Sequence, residues 1–201
     1  MTDQPARGDR RRSALLESLD HHLRESSLES INIADISRRA GVTRSAFYFY
    51  FENKASAVAA LMDEMYDESF AAAEALRADG TPAENIETMV RALFSTWDKH
   101  EHLFRASLDA RATSATVREL WDSDRESFVP VVASMIEAER GSGAAPPGTD
   151  ATALASVLLE LNDRMLERLA LGGKLDREQL VEAVVAIWLH TIYGEVRVGH
   201  S

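Results

Sequence analysis

The stretch from Asn32 to Lys54, NIADISRRAGVTRSAFYFYFENK, constrains the fold more than any other part of the chain. It reads as two short helices joined at a glycine. Asn32 suits the cap of the first helix, Asp35 follows three residues later, and Ile33, Ile36 and Ala40 share one apolar stripe. Gly41 tolerates the positive φ with which a helix stops sharply. Val42 fills the corner, and Thr43 is placed to cap a second helix running to about Phe51. On that helix Phe47, Tyr50 and Phe51 fall at i, i+3 and i+4, which gives it a buried side. Arg44, Ser45 and Tyr48 fall elsewhere, toward solvent. A short helix with a buried aromatic side and an exposed Thr/Arg/Ser/Tyr side fits a reading helix in the DNA major groove. Spacing alone also fits an ordinary helical hairpin.

The rest of the chain predicts helix throughout. Residues 1–9 are expected to be a disordered arm. A first helix over about 10–25 buries Leu15, Leu16, Leu19 and Leu23 and completes a three-helix domain ending at Lys54. Asn53 caps a long fourth helix to about Ala78, with Val58, Leu61, Met62, Met65, Ser69 and Ala72 or Ala73 inward. After Asp79-Gly80, Thr81-Pro82-Ala83-Glu84 forms a capping box that starts helix five. Helix six covers about 101–110, and helix seven runs from about Ser114 to Arg140 with Pro130 inside it. A Gly/Pro-rich loop over 141–149 leads to helix eight, about 151–171. Asp176 with Gln179 three later opens helix nine, which runs to about Gly194. The fold class is therefore all-α, three helices in residues 10–54 and six in 55–201.

The run Ala40 to Lys54, with Phe47-Tyr-Phe-Tyr-Phe51 and Lys54 at its end, resembles the DNA-binding signature of TetR/AcrR-family transcriptional regulators. The resemblance implies a helix–turn–helix domain followed by a helical effector-binding and dimerisation domain. Arg111 to Ser114, Glu119 to Trp121, Ile136 to Gly141, Ala144 to Pro146 and Ile187 to Glu195 resemble the EthR-type branch, so the likeness extends nearly to the end of the chain. In that family Thr43 caps the reading helix near a phosphate, and Tyr48, Phe49, Tyr50 and Lys54 fall where members hold the DNA backbone. Phe49 offers only packing against a sugar, and Tyr50 reads equally as a core residue. Arg44 and Ser45, with Ala46, fall at base-reading positions, where arginine can make a bidentate contact to guanine. Arg44→Ala is expected to relax sequence preference. Lys54→Ala is expected to weaken every sequence alike and flatten the salt dependence.

Net charge is −11, unlike a typical DNA-binding domain. Residues 1–54 hold nine Lys/Arg and eight Asp/Glu, a balance of +1, and 55–201 hold thirteen and twenty-five, a balance of −12. Positive charge must then act by placement, through the arginine-rich start and Arg38, Arg39, Arg44 and Lys54. Cysteine is absent, which excludes disulfides, thiolate metal sites and a cysteine nucleophile. Adjacent His21 and His22 diverge on a helix, as do His100 and His102, so no metal site is expected. There is no Gly-x-Ser-x-Gly, no His-Glu-x-x-His and no phosphate-binding glycine loop, and the chain is not expected to be an enzyme or to carry a cofactor. With no apolar run long enough to span a membrane and no apolar leader core, a cytoplasmic location is expected.

Helices eight and nine bear on assembly. Helix nine is apolar on more than one face, so part of it needs a partner. Leu154, Leu158, Val184, Trp188 and Ile192 are the expected interface of a homodimer, which would present two reading helices to a near-palindromic operator. The EthR-type resemblance further implies a long apolar tunnel for a small, elongated effector. Phe94, Trp97, Trp121, Arg125, Phe128, Asn162, Met165 and Trp188 are its candidate lining, although aromatics at helical spacing serve equally as core. Asn162 lies among leucines, where its amide needs a ligand or a neighbouring helix as partner. Glu87, Arg125 and Leu159 depart from the branch pattern, and a charged pocket end would suit a ligand with a polar head group. Effector binding is expected to act through helix four and release a repressor from DNA. A DNA-binding regulator without an effector is the alternative.

Overall fold

The computed structural model describes residues 4–73, 76 and 80–194, and among these the regular structure is helix alone. The order is α1 (Gln4–Leu23), α2 (Ile33–Arg39), α3 (Arg44–Tyr50), α4 (Lys54–Ala73), α5 (Pro82–Lys99), α6 (Glu101–Thr113), α7 (Ala115–Ser142), α8 (Ala151–Ala170) and α9 (Arg177–Tyr193). α1 starts at Gln4, inside the stretch expected to be an arm. Arginine and alanine favour helix, and Pro5 falls in the first turn, where its missing N–H does no harm. The expected continuation of α4 to Ala78 falls partly on residues outside those described. So do the side chains of Met65, Ser69, Ala72 and Ala73.

The chain forms two compact units: residues up to Met65 together with His100–Trp121, and Tyr66–Lys99 together with Asp122 onward. This partition differs from a division at Lys54. The first unit takes in the start of α4, all of α6 and the first turns of α7. Its core joins Leu15, Leu19 and Leu23 of α1 to Ile36, Phe47, Phe51 and Val58, all buried. Ser18 Oγ crosses from α1 to the Ile36 carbonyl at 2.9 Å, tying α1 to α2 by a bond out of reach of water. Leu16, expected inward, is only half-buried.

In the second unit α5 and α8 both pack on α9. Helix starts follow local chemistry. Thr81 and Glu84 exchange the expected capping-box bonds, Thr81 N to Glu84 Oε2 at 2.9 Å and Glu84 N to Thr81 Oγ1 at 3.3 Å. Asp176 and Gln179 do the same at 2.9 and 3.1 Å. Two surface networks brace α9 against α5. Arg91 joins Glu87 and Glu178, each at 2.8 Å, and Arg177 meets Asp98 at 2.9 Å. No helix among the described residues is long and apolar enough to cross a membrane.

Candidate functional site

The first unit presents α3 as an exposed helix on a fixed base. Asn32 Oδ1 accepts from Ala34 N at 2.9 Å and starts α2. Gly41 then turns the chain with φ of 66°, a conformation in which an L side chain is strained. Thr43 Oγ1 accepts from Ala46 N at 3.2 Å and starts α3. Phe47 and Phe51 anchor the helix from beneath, with rings 5.5 Å apart. Arg44 and Ser45 are exposed, and Ala46 and Tyr50 are half-buried. Tyr48 is 47% and Phe49 81% exposed, an unusual degree for two adjacent aromatics. Arg44 Nη2 donates to the Tyr48 hydroxyl at 3.2 Å, and its guanidinium lies 5.7 Å from that ring's centre. Thr43, Arg44, Ser45, Tyr48 and Phe49 thus lie together on one short segment.

Lys54 is placed differently. Its ammonium donates to the carbonyls of Leu28, Ile31 and Glu29 at 2.5, 2.7 and 3.1 Å, in the turn between α1 and α2. Burial lowers its pKa, with nearby Glu29 opposing. Nothing in the sequence marks this arrangement, because backbone acceptors carry no residue signature. The positive charge around α3 is placed as expected only in part. Arg39 is exposed, Arg38 is paired with Asp35, and Arg12 lies 5.6 Å over the Phe51 ring.

In the second unit, Phe94, Trp97, Asn162 and Trp188 are buried, and Phe128 and Met165 half-buried. Trp188 Nε1 donates to Asn162 Oδ1 at 3.1 Å. Asn162 Nδ2 is buried and has no hydrogen-bond partner among the described residues. Trp121 falls instead in the first unit, edge-on to Phe104 at 5.3 Å and 4.8 Å from the Arg111 guanidinium.

Arg125, the candidate charged pocket end, sits among carboxylates of α7 and α8. It is 13% exposed and meets Glu160 at 3.0 Å, Asp122 at 3.2 Å and Asp163 at 3.4 Å. Burial alone would lower its pKa, but these carboxylates outweigh that and raise it. The carboxylates engage Nη1 and Nη2, while the buried Nε has no hydrogen-bond partner among the described residues. Glu87 is likewise paired with Arg91 at the surface.

The expected dimer residues divide by burial within the subunit. Leu158, Val184, Trp188 and Ile192 are buried in the unit's own core, and Leu154 is half-buried. The outward apolar side chains on α8 and α9 are Val157, 65% exposed, and Ile187, 44% exposed. On a helix that is apolar on more than one face, sequence alone cannot select which stripe faces inward.

Another connection escaped the sequence reading. His102 Nε2 lies 2.7 Å from Asp20 Oδ1, joining α6 to α1, and Arg24 bonds the other oxygen of the same carboxylate at 2.9 Å. The partners are 82 positions apart in the chain, so no local pattern announces them. No group of three or more His, Asp or Glu side chains among the described residues could hold a metal ion.

Residues 86–194 match the family model described as the C-terminal domain of the transcriptional regulator EthR. Residues 23–61 match that of the bacterial regulatory proteins of the tetR family. The HTH-type transcriptional regulator EthR of Mycobacterium tuberculosis (strain H37Rv) is 33% identical over 195 residues, covering 94% of this chain and 90% of its own. EthR of Mycolicibacterium smegmatis is 31% identical over 199 residues, covering 96% and 90%. Among solved structures, the transcriptional regulator FadR from Bacillus subtilis, in complex with stearoyl-CoA, matches with a TM-score of 0.69 at 16% identity. That match covers 91% of this chain and 98% of the other.

Proposed function

The chain belongs to the TetR family of bacterial transcriptional regulators, in its EthR type, and on that footing we propose a repressor that binds a near-palindromic operator as a homodimer and leaves it when a small, largely apolar effector binds. It is a regulator and not an enzyme. The exposed α3 segment carries the reading. Arg44 and Ser45 address bases, Tyr48 and the Thr43 hydroxyl address phosphates, and Phe49 packs on a sugar. The Arg44–Tyr48 contact holds the guanidinium in place before DNA arrives, which lowers the ordering cost of docking. A dimer supplies two such helices, and about 34–36 Å between them matches successive major grooves. Val157 and Ile187 are the outward apolar side chains from which such a dimer would be built. The protein would work in the cytoplasm, beside the DNA.

The effector reading rests on Asn162. A buried amide N–H₂ without a partner is costly, and an elongated apolar molecule with one carbonyl or hydroxyl oxygen would satisfy it. Phe94, Trp97, Phe128, Met165 and Trp188 supply the apolar surroundings. The solved FadR holds stearoyl-CoA, a ligand with a long acyl chain. α4 starts in the first unit and continues into the second, which makes it the covalent route from effector to reading helix. An effector acts only by binding the two arrangements unequally, and about 5.5 kcal/mol of difference is needed to swing the balance from 1:99 to 99:1.

The test is anisotropy of a labelled duplex, taken as the best-bound sequence selected from a random pool, against a panel of elongated amides and esters. Release by one panel member, abolished in Asn162→Leu, is the expected result. Tight duplex binding that no panel member disturbs, with no thermal stabilisation by any, would favour a regulator lacking an effector.

A further inference from the structure

Lys54 opens α4, where a cation opposes the positive end of the helix dipole. Its stabilisation must come from elsewhere, and the carbonyls of Leu28, Glu29 and Ile31 supply it. An ammonium has three N–H groups, and here each has an acceptor. The acceptors belong to a turn whose own side chains are anchored, since Leu28 and Ile31 are both buried. The next residue, Asn32, caps α2, and α2 packs on α3. One side chain therefore connects the first turn of α4 to the base on which the reading helix stands.

We infer that Lys54 is a positioning residue, locking the α1–α2 turn to the start of α4 and so fixing the placement of α3, and that it is not a ligand of the DNA phosphates. To reach a phosphate, Nζ would have to leave the part-buried carbonyls of Leu28 and Ile31 without their donor, and the exposed Glu29 carbonyl to water. That desolvation penalty disfavours the exchange. The assignment also gives α4 a physical grip on the turn that carries α2. It rests on the DNA-binding reading only for its functional consequence. The clamp itself is a property of the free protein.

The experiment uses full-length wild type, Lys54→Met and Lys54→Arg. Methionine keeps an apolar stem without the charge. Arginine keeps the charge, but its planar fork cannot direct three N–H groups at three converging carbonyls. Affinity for the selected duplex is followed from about 50 to 200 mM salt, the range over which phosphate contacts reveal themselves. Amide hydrogen exchange is followed without DNA. Both variants are expected to bind roughly tenfold more weakly, the scale set by unpaired buried carbonyls. The slope of log affinity against log salt should stay as in wild type, and exchange across residues 28–36 should quicken. A slope reduced by about 0.9 in Lys54→Met and restored in Lys54→Arg would make Lys54 a phosphate ligand and overturn the inference. So would unchanged exchange in both variants. If wild type enriches no duplex at all, the DNA-binding reading fails, and the exchange comparison still decides the clamp. Should Lys54→Met not fold, the exchange across residues 28–36 in Lys54→Arg decides the clamp, quickened if it holds and unchanged if it does not.

Discussion

Trp188 and Asn162, on neighbouring helices of the second unit, share a hydrogen bond of 3.1 Å with both side chains buried. The indole has a partner while the amide N–H₂ has none among the described residues, so the pair is half-satisfied. Such a pair behaves asymmetrically under substitution.

Asn162→Leu should cost about 1–3 kcal/mol, because it strands the Trp188 N–H in an apolar core. Trp188→Phe should cost more, since it removes ring volume and leaves Asn162 with no partner at either end. The double variant should be less destabilised than the two losses added together. Urea unfolding of all four proteins checks this, and strict additivity would mean that the bond contributes nothing.

For assembly, the structure separates two kinds of apolar position. Ile187→Asp and Val157→Asp fall on exposed side chains and should leave the helix content of a subunit intact. If these side chains form the dimer face, sedimentation at micromolar concentration should shift from dimer to monomer. Val184→Asp buries a carboxylate in the subunit's own core, and should instead unfold the second unit. A dimer that persists in both surface variants would place the interface elsewhere.

The sequence was legible where structure is specified locally. Asn32, Gly41 and Thr43 announced α2, its turn and α3. Thr81 with Glu84, and Asp176 with Gln179, announced two helix starts. It was poorly legible where the answer depends on a distant acceptor. Lys54 meets backbone carbonyls more than twenty residues earlier, and His102 meets Asp20 from another helix. Neither contact has a spacing rule. The ion pairs of Arg125 are hidden for the same reason, because Glu160 and Asp163 reach it from α8. Which apolar stripe of α9 turns inward is likewise not legible, because its apolar side chains cover more than one face.

Arg44 and Tyr48 should divide specificity from affinity. Arg44→Ala should compress the spread among single-base-pair variants of the selected duplex, with roughly 1–3 kcal/mol of discrimination lost at one position per half-site. It also frees Tyr48 from its hydrogen bond. Tyr48→Phe should weaken all variants alike by roughly tenfold to a hundredfold, the loss of one hydrogen bond to a charged group. Competition binding over the variant set is the measurement. Identical profiles for the two proteins would dissolve the division.

Asp20 should make part of the first unit's stability pH-dependent. Burial pushes its pKa up, but the contacts with His102 and Arg24 outweigh burial and bring it below the ordinary 3.8. A carboxylate with a depressed folded pKa stabilises above its unfolded value, and that contribution disappears as pH falls through the folded one. Asp20→Asn should therefore be less stable than wild type by roughly 1 kcal/mol at pH 6, where the lost contacts are charge-assisted hydrogen bonds at a part-exposed site. The difference should shrink as pH drops below 3.8. A gap that is constant from pH 6 to 3 would show that the carboxylate's charge plays no part.

The most direct measurement is recovery of fragments of the protein's own genome by the purified chain at low salt, followed by footprinting of the strongest. The account predicts enriched fragments that share a near-palindrome, with half-site centres about 10 bp apart or a multiple of it, protected on one face of the duplex. Fragments recovered without any shared sequence, or a single unpaired half-site occupied by one subunit, would contradict it.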